Sequence, residues 1–443
     1  MIEEVKNLFK KELKNANIKK WDLLLTKKYS IENQFRGIEV EITRDYEILS
    51  YMLRIFDDRT EDMGIGLING SSMDKEVVKN SIKYASQIAK LNSSEKIDLP
   101  QPGMKYKDLK LTEDKIVSKP LEFLQDTSEE LTKLLAQQKK IAGTFGKLRF
   151  YITNRKLINS EELDLDSKAT SIFIEYALKA EKEGNLAEYW AKSHFKKIKQ
   201  LDLKNRIKKW AFIAFDTLRA EDPPSMKSAT VLFPPIILKD ALKNTVGFHI
   251  TGKSKIEKIS KIKIGEKIAS EKISINDNGL LEGGLGTSPW DGEGIPQRET
   301  NVIKNGVFES RIYDLKHAKI LNTKSTGNGI RAGGGTIEND FTNLEIKPGD
   351  SKLDNMISQI DNGIIIEEFS WLNPSRITGD FGAEIRNGYL IKNGEISDPI
   401  KGGNLSGNVF DMIKNISAIS KERKFEENCY LPYIIFENLI LSS

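Results

Sequence analysis

The feature that most constrains the fold of this chain is a change of sequence texture at residues 222–225, which read DPPS. Two adjacent prolines beside a charged and a small residue interrupt both helices and strands. Before this point, segments with helical periodicity alternate with strand-like segments. After it, glycines and short alternating segments dominate, as in antiparallel β structure. The sequence predicts an α+β protein with two domains, residues 1–221 and 222–443.

The N-terminal domain is predicted to be a mixed sheet with flanking helices. Asp74 is placed to cap one helix, and Thr127 begins a capping box that predicts the start of another. GIGLINGS, residues 64–71, is predicted to be a turn-rich exit from a strand. Apolar residues at helical spacing over 186–218 predict a long amphipathic helix.

The C-terminal domain is predicted to be largely antiparallel and barrel-like. The sequence KNG at 304–306 and again at 392–394 stands between apolar runs, as hairpin turns do. The first strand of this domain is followed by a helix that leads into the β structure. Helices are predicted near residues 235–245, 314–320, 351–361 and 408–420.

Composition predicts a cytoplasmic protein without a membrane-spanning segment. The net charge is 68 − 64 = +4, too small by itself to indicate a nucleic-acid partner. Eight Lys and Arg residues between Lys192 and Lys209 are interpreted as the solvated face of a helix. Cys429 is the single cysteine, so no intrachain disulfide can form. The longest apolar run, 231–238, is far too short for a bilayer.

Short motifs follow the boundary in a fixed order, and this order carries more information than any one of them. They are GTSPWDGEG (286–294), KNGVFES (304–310), STGNGIR (325–331), TGDFG (378–382), IKNGEI (391–396), SGNVFDMI (406–413) and LPYIIFENLIL (431–441). Together they resemble the C-terminal half of the TldD/PmbA (TldE) family, which is built around a metalloprotease domain. The resemblance extends more weakly over the N-terminal half.

The resemblance implies a zinc motif, HExxxH, on the helix after the first C-terminal strand. Paired histidines bind zinc and a glutamate activates water in such motifs. Alignment places Lys243 and Phe248 at the histidine positions and Asn244 at the glutamate position. His249 is one residue away, and Cys429 is interpreted as a structural thiol at a strand start. The sequence therefore resembles the PmbA/TldE branch, whose members lack the motif.

This resemblance implies a non-catalytic subunit of a TldD/TldE-type metallopeptidase system that acts on unfolded or modified peptides. The chain is expected to pair with itself or with a TldD-like subunit. It is expected to hold no cofactor, with zinc only in a catalytic partner. The alternative is a homodimeric peptide-binding module without catalysis. A peptide is expected to bind as an added strand.

The motifs also supply candidate substrate-binding residues. The carboxylates of the DGEG turn are open to two interpretations, as an acid/base or cation-binding pair for a hydrolase or as caps of a tight turn. The candidates are Asp291, Glu293, Gly294, Asn328, Thr378, Asp380 and Phe381.

A competing motif spans Gly247–Ser254, which fits the phosphate-binding pattern GxxxxGK[ST]. A run ending in carboxylates at 363–368 offers a second element of such a site. The pattern requires a buried strand before the loop, whereas residues 242–246 are typical of a helix end. Nucleotide binding is therefore an alternative that the surrounding sequence disfavours.

Overall fold

The computed structural model describes residues 1–332 and 336–443. Residues 20–195 contribute six strands to one antiparallel sheet, in the order β3-β2-β1-β4-β5-β6. Its strands are β1 (Lys20–Arg36), β2 (Glu39–Asp58), β3 (Met63–Gly70), β4 (Ile141–Asn159), β5 (Asp164–Lys182) and β6 (Asn185–Phe195). We call it the first sheet.

Helices cover the first sheet and bury two apolar cores against it. The larger core lies beneath β4, β5 and β6, and the smaller core lies beneath β1 and β2. The helices are α1 (Ile2–Asn15), α2 (Lys75–Leu91), α3 (Asp114–Ser118), α4 (Pro120–Ala136) and α5 (Leu203–Asp216), with short 3₁₀ turns at Ile198–Gln200 and Thr217–Arg219.

The described residues between 226 and 442 form a second, mixed sheet, in which most pairs are antiparallel. The pairs β13–β18 and β14–β7 are parallel. Its strands are β7 (Met226–Phe233), β8 (Ile275–Asn278), β9 (Glu299–Lys304), β10 (Val307–Phe308), β13 (Leu344–Ile346), β14 (Asn362–Phe369), β15 (Asp380–Lys392), β16 (Glu395–Asn408), β17 (Ile416–Glu426) and β18 (Cys429–Ser442), and a separate ribbon consists of β11 (Gly329–Arg331) and β12 (Ile337–Asn339).

Strand pairing in the second sheet closes on itself. β7 pairs with β14, and the chain of pairs continues through β15 and β16 to β18, which pairs again with β7. The predicted α+β class with a barrel-like second half is confirmed. The helices of this half are α6 (Pro235–Lys243), α7 (Val246–His249), α8 (Gly252–Ile256), α9 (Leu315–Ile320), α10 (Leu353–Ile357) and α11 (Val409–Met412).

Several local predictions are confirmed. Asp74 caps α2, accepting hydrogen bonds from the backbone amides of Glu76 and Val77. Both KNG segments are hairpin turns, between β9 and β10 and between β15 and β16. Cys429 is the buried first residue of β18.

Every helix in the described ranges is too short or too polar to cross a membrane.

The predicted helix over 186–218 is wrong in its first third, which is strand β6. Tyr189, Ala191, Ser193 and Phe195 are buried while the residues that alternate with them are more exposed, so the burial period is two. The helix α5 begins only at Leu203. The basic run from Lys192 therefore divides between a strand and a helix, and Lys209 forms an ion pair with Glu367 at 2.7 Å.

The other corrections have equally local causes. GIGLINGS is mostly strand β3, because Gly64 and Gly66 provide space for α2; a Cβ at Gly66 would lie 1.6 Å from the Ala85 carbonyl oxygen. Thr127 is buried inside α4, which begins at Pro120, and donates to the Phe123 carbonyl. The predicted helix near 408–420 is reduced to α11, and residues 416–426 form β17.

Candidate functional site

The position aligned with the zinc motif lies at the C-terminal end of α6. Pro235 is in the first turn, where a backbone N–H would have no partner within the helix, so proline breaks no hydrogen bond there. The apolar face of α6 is buried against the second sheet. Lys243 is the last residue of the helix and Asn244 is its C-cap. The Lys243 ammonium lies 3.6 Å from a carboxylate oxygen of Glu427, in the turn between β17 and β18.

Glu427 is held by two lysines. The Lys239 ammonium, one turn before Lys243 on α6, lies 3.6 Å from the other carboxylate oxygen of Glu427. Burial opposes ionisation of Glu427, but Lys239 and Lys243 together hold its pKa below the usual value. The negative charge of Glu427 at the end of α6 is therefore balanced by two protein ammonium groups.

Phe248 and His249 lie on α7, immediately after this position. The Phe248 ring packs beneath the Arg376 guanidinium, with 4.7 Å between Cζ and the ring centroid. The His249 Nε2 atom is 2.8 Å from the Arg376 carbonyl oxygen, and its ring packs edge-on against Phe410. Burial lowers the pKa of His249, so the imidazole is neutral and fixed by a backbone contact.

These residues do not fit a zinc ion. Zinc binds neutral imidazole, thiolate and carboxylate groups, whereas an ammonium, an amide and a phenyl ring occupy the aligned positions. The Cys429 thiol is fully buried, and burial raises its pKa to about 12, so it remains protonated. Within residues 1–332 and 336–443, His, Cys, Asp and Glu side chains nowhere gather in threes as a metal would require.

A cavity of about 630 Å³ opens beside the end of α6, between β6 of the first sheet and β14 of the second. We call it the inter-sheet cleft. Trp371, 76% exposed, stands on its wall as an uncovered aromatic surface. The charged groups on its walls have both signs: Lys192, Lys239, Asp240, Lys243, Glu367, Glu368, Arg386, Glu426 and Glu427.

Strand β6 gives this cleft a free strand edge. β6 is the last strand of the first sheet and pairs only with β5 among the described strands. Tyr189, Trp190 and Lys192 of this strand line the cleft. In an antiparallel edge strand, alternate residues direct backbone N–H and C=O groups away from the sheet. These groups are suited to pair with an extended peptide.

The DGEG turn lies elsewhere, where the two sheets meet. Asp291 accepts hydrogen bonds from the backbone amides of Glu293, Ile295 and Gly329 at 2.8–2.9 Å. Gly294 has φ +90°, a conformation that favours glycine, and its carbonyl accepts from the Tyr106 hydroxyl. Burial raises the pKa of Asp291 to about 6. In this geometry Asp291 fixes the turn.

Glu293 belongs to a buried charge network that joins the two halves of the chain. One of its oxygens is 3.1 Å from Arg54 and the other accepts the backbone amide of Leu315. Arg54 also binds Asp22 through two nitrogens, and Arg331 donates to Asp22 at 2.6 Å. All four side chains are at most 3% exposed. We call Asp22, Arg54, Glu293 and Arg331 the junction cluster.

Asn328 supports the same region from the second sheet. Its amide nitrogen donates to Asp277 at 2.5 Å and to the Asp340 carbonyl, and its oxygen accepts from Thr326. Asp277 is fully buried and accepts only from amide N–H groups, so burial raises its pKa to about 7. Asn328 is 1% exposed, so its contacts are internal.

The third group of predicted substrate-binding residues is separate from the DGEG turn. Thr378 lies in an exposed turn and Asp380 is the first residue of β15, and both accept hydrogen bonds from the Asn408 amide. Phe381 is 8% exposed and packs in the core of the second sheet. The seven candidates therefore lie in at least two places, and none of them lines the inter-sheet cleft.

The segment Gly247–Ser254 lacks the strand, loop and helix of a phosphate-binding site. It follows helix α6 and folds into α7 and α8. Ser254 is fully buried, and its hydroxyl donates to the backbone carbonyls of His249 and Thr251. Gly247 packs against the Phe341 ring, where a Cβ would meet carbon at 2.7 Å. This geometry does not support the nucleotide-binding alternative.

A family model described as the PmbA/TldA metallopeptidase C-terminal domain matches residues 226–443. Residues 226–443 therefore form a C-terminal domain of the PmbA/TldD family. The match covers β7 through β18 and thus includes both the inter-sheet cleft wall at α6 and the DGEG turn.

The chain is also similar to individual proteins. An uncharacterised protein of Methanocaldococcus jannaschii is 34% identical over 215 residues, which are 48% of this chain and half of that protein. A metalloprotease of the same organism is 24% identical over 81% of both chains. The crystal structure of TldE from Thermococcus kodakarensis has the same fold, with a TM-score of 0.87 and 22% identity over 99% of both chains.

Sequence patterns predicted neither Asp22, Arg54 and Arg331 of the junction cluster nor the cleft wall in β6. A signal existed for Asp22 and Arg54, because each is a single charged residue within an otherwise apolar strand segment, WDLLL and YMLRIF. A charge in such a place must be paired or must neutralise. The partners of Asp22 and Arg54 come from distant parts of the chain, so only the fold could identify them.

Proposed function

We propose that this chain is a TldE/PmbA-like, non-catalytic subunit of a TldD/TldE-type metallopeptidase system that acts on unfolded or modified peptides. The observation that carries the proposal is the contact of Lys243 with Glu427 at the aligned motif position. An ammonium there repels a divalent cation and already supplies the positive charge that Glu427 requires. A TldD-like partner is expected to carry the zinc.

The inter-sheet cleft is the proposed place for the peptide. The free edge of β6 offers main-chain hydrogen bonds, which are insensitive to side-chain sequence. Trp371 offers an exposed apolar surface. The walls carry charges of both signs, so they do not select peptides of one net charge. Such a surface is suited to extended peptides of varied sequence.

The experiment is gentle affinity purification of the tagged chain from its native source, followed by zinc analysis and a peptidase assay on an unfolded protein. We expect a TldD-like chain to co-purify, and zinc and activity to depend on that chain. Stoichiometric zinc and peptidase activity in this chain alone would overturn the proposal. Recovery of the chain without any such partner would remove its main support.

A second experiment tests the alignment of α6 with the zinc motif. The triple variant Lys243→His, Asn244→Glu and Phe248→His restores HExxxH, and Lys243→His with Asn244→Glu is its matched control. If these positions correspond to the metal site, the triple variant should bind zinc more tightly than the control, measured by competition with a chromogenic chelator. Equal affinities would show that the positions do not correspond.

The alternative is a homodimeric peptide-binding module without catalysis. It would use the same inter-sheet cleft and the same free edge of β6. Binding of an unfolded peptide by the isolated chain, as tightly as by any complex, would support this alternative. Peptide binding only in the presence of a TldD-like chain would exclude it.

A further inference from the structure

A second cavity, of about 360 Å³, lies next to the junction cluster and shares no wall residue with the inter-sheet cleft. We call it the Arg155 cavity. Its apolar wall consists of Leu24, Met52, Trp290, Ile330 and Phe341. Its polar wall includes Arg155 of β4, Ser288, Asp291, Gln297 and Arg331. The cavity is formed jointly by the first sheet and by the loops before β9 and around β11.

Among the described residues Arg155 has no ion-pair partner, although the Asp291 carboxylate is near enough to favour its charged form. Within residues 1–332 and 336–443 its guanidinium forms neither an ion pair nor a hydrogen bond, and its contact is with the Trp290 ring, 4.6 Å from Cζ to the centroid. Residues 333–335 are glycines, which carry no charged side chain. Asp291 also lines the cavity, but three backbone amides already occupy its oxygens.

The surroundings make this charge costly. Burial, with repulsion from Arg331, lowers the pKa of Arg155 to about 10. Lys196 is 6% exposed, and burial and Arg155 lower its pKa to about 8. Asp291 offsets part of this cost at Arg155, but burial and the neighbouring cations outweigh it, so an added anion would be favourable here.

Other wall residues have unused hydrogen-bonding capacity. The Trp290 indole nitrogen, the Ser288 hydroxyl and the Gln297 carbonyl oxygen are buried without a partner among the described residues. Buried polar atoms are normally paired with protein, water or ligand. These three atoms are covered by protein and do not open onto the cavity, so the candidate site rests on the Arg155 guanidinium and the apolar wall.

We propose that the Arg155 cavity binds a small organic carboxylate, with the Arg155 guanidinium as its anchor and the apolar wall as the seat of its side chain. A guanidinium binds a carboxylate through two parallel hydrogen bonds, and the Trp290 ring holds its plane in position. The volume accommodates a group about the size of one amino-acid residue. This site is independent of the proposed peptidase role, because it lies outside the inter-sheet cleft.

The test compares N-acetyl-leucine with N-acetyl-leucinamide, which differ only in the charged group, by isothermal titration calorimetry at low salt and pH 7. The acid is expected to bind the full chain and the amide to bind at least about 10-fold more weakly, since a charge-assisted hydrogen bond contributes about 1.5–3 kcal/mol. Inorganic phosphate is the third probe, and it is expected to bind more weakly than the acid because it has no apolar group.

Arg155→Gln is expected to reduce the affinity for the acid by about 10-fold or more. Arg298→Gln is the matched control, since Arg298 is exposed on the neighbouring loop and does not line the cavity. Arg155→Lys keeps the charge without the guanidinium fork and is expected to be intermediate, which covers the case that Arg155→Gln fails to fold.

Three results would overturn the proposal. They are equal binding of the acid and the amide, binding to Arg155→Gln as tight as to the unmodified chain, and binding of phosphate alone. None of them bears on a TldD-like partner, so failure here is distinguishable from failure of the proposed function.

Discussion

The junction cluster and the Arg155 cavity are adjacent and share Arg331, but they handle buried charge in opposite ways. In the junction cluster, Arg54 lies between Asp22 and Glu293, and each ionised group faces a partner. In the cavity, Arg155 faces an aromatic ring and no carboxylate that is free to bind it. The comparison suggests that the first set of charges holds the two sheets together and that the second awaits a ligand.

Two buried aspartates show the same contrast. Burial opposes ionisation of Asp22, but Arg331 and Arg54 overcome it and hold its pKa below the usual value. Asp277 accepts hydrogen bonds only from amides, and burial raises its pKa to about 7. Pairing with two arginines accounts for the difference between these two aspartates, whereas Glu293, which contacts Arg54 alone, has a pKa that burial and the nearby Asp291 raise to about 7.

The largest expected effect comes from breaking the junction cluster. Arg54→Met leaves Asp22 and Glu293 buried with fewer partners, and we expect the free energy of unfolding to fall by about 3–5 kcal/mol. Urea denaturation followed by circular dichroism measures it. Arg36→Met, at a side chain 82% exposed, is the control and should change little. A loss below about 1 kcal/mol would mean that the cluster does not hold the sheets together.

The next effect is a pH dependence carried by Asp277. Because its pKa is raised from 3.8 to about 7 in the folded state, its stabilising contribution is fully present below about pH 4 and is lost as the pH rises to about 7. This loss amounts to up to about 4 kcal/mol. Asp277→Asn should therefore flatten the fall in melting temperature between these limits.

The control for that experiment is Asp380→Asn. Asp380 is exposed, and hydrogen bonds from Asn408 and Thr378 lower its pKa, so its ionisation does not oppose folding over the same pH range. The melting-temperature profile of this variant should follow that of the unmodified chain above pH 4. An Asp277→Asn profile as steep as that of the unmodified chain would show that Asp277 is ionised in the folded protein.

A smaller effect, and one of the opposite sign to that of Arg54→Met, is expected at Arg155. Arg155→Met removes an unpaired cation and retains an unbranched apolar side chain beside Trp290. We expect the free energy of unfolding to be unchanged or to rise by about 1 kcal/mol in the absence of ligand. Thermal unfolding in buffer without carboxylate measures it. Destabilisation by more than about 2 kcal/mol would reveal an internal partner for Arg155.

How much of the fold could be predicted from the sequence depends on how far apart the interacting residues are along the chain. The helix cap at Asp74 and the KNG hairpins were predictable because neighbouring residues determine them. Gly64 and Gly66 were misinterpreted because helix α2, which requires their small size, comes later in the chain. The alternation of buried and exposed residues in β6 is visible in the sequence, but the helical pattern of the following helix α5 obscured it.

For the candidate site, too, local features were predictable from the sequence and contacts between distant residues were not. The substitution of Lys243 and Phe248 in the zinc motif was visible by resemblance to the family. That Glu427 pairs with Lys243, and that β6 and Trp371 line the same cleft as α6, depends on residues far apart in the sequence. Such pairings have no local sequence signal. Resemblance located the position, and the fold supplied its surroundings.

The smallest effect is expected at the end of α6, where charges are paired but accessible to solvent. Lys243 is 42% exposed, and Glu427 keeps Lys239 as a partner when Lys243 is replaced. Lys243→Gln should therefore change the free energy of unfolding by less than about 0.5 kcal/mol, measured by urea denaturation. Glu427→Gln is the sharper companion, because it leaves Lys243 without a carboxylate and Lys239 with Asp240 alone, and it should cost more. If Lys243→Gln is instead as damaging as Arg54→Met, the end of α6 is a structural joint like the junction cluster and not a cleft wall free to bind peptide.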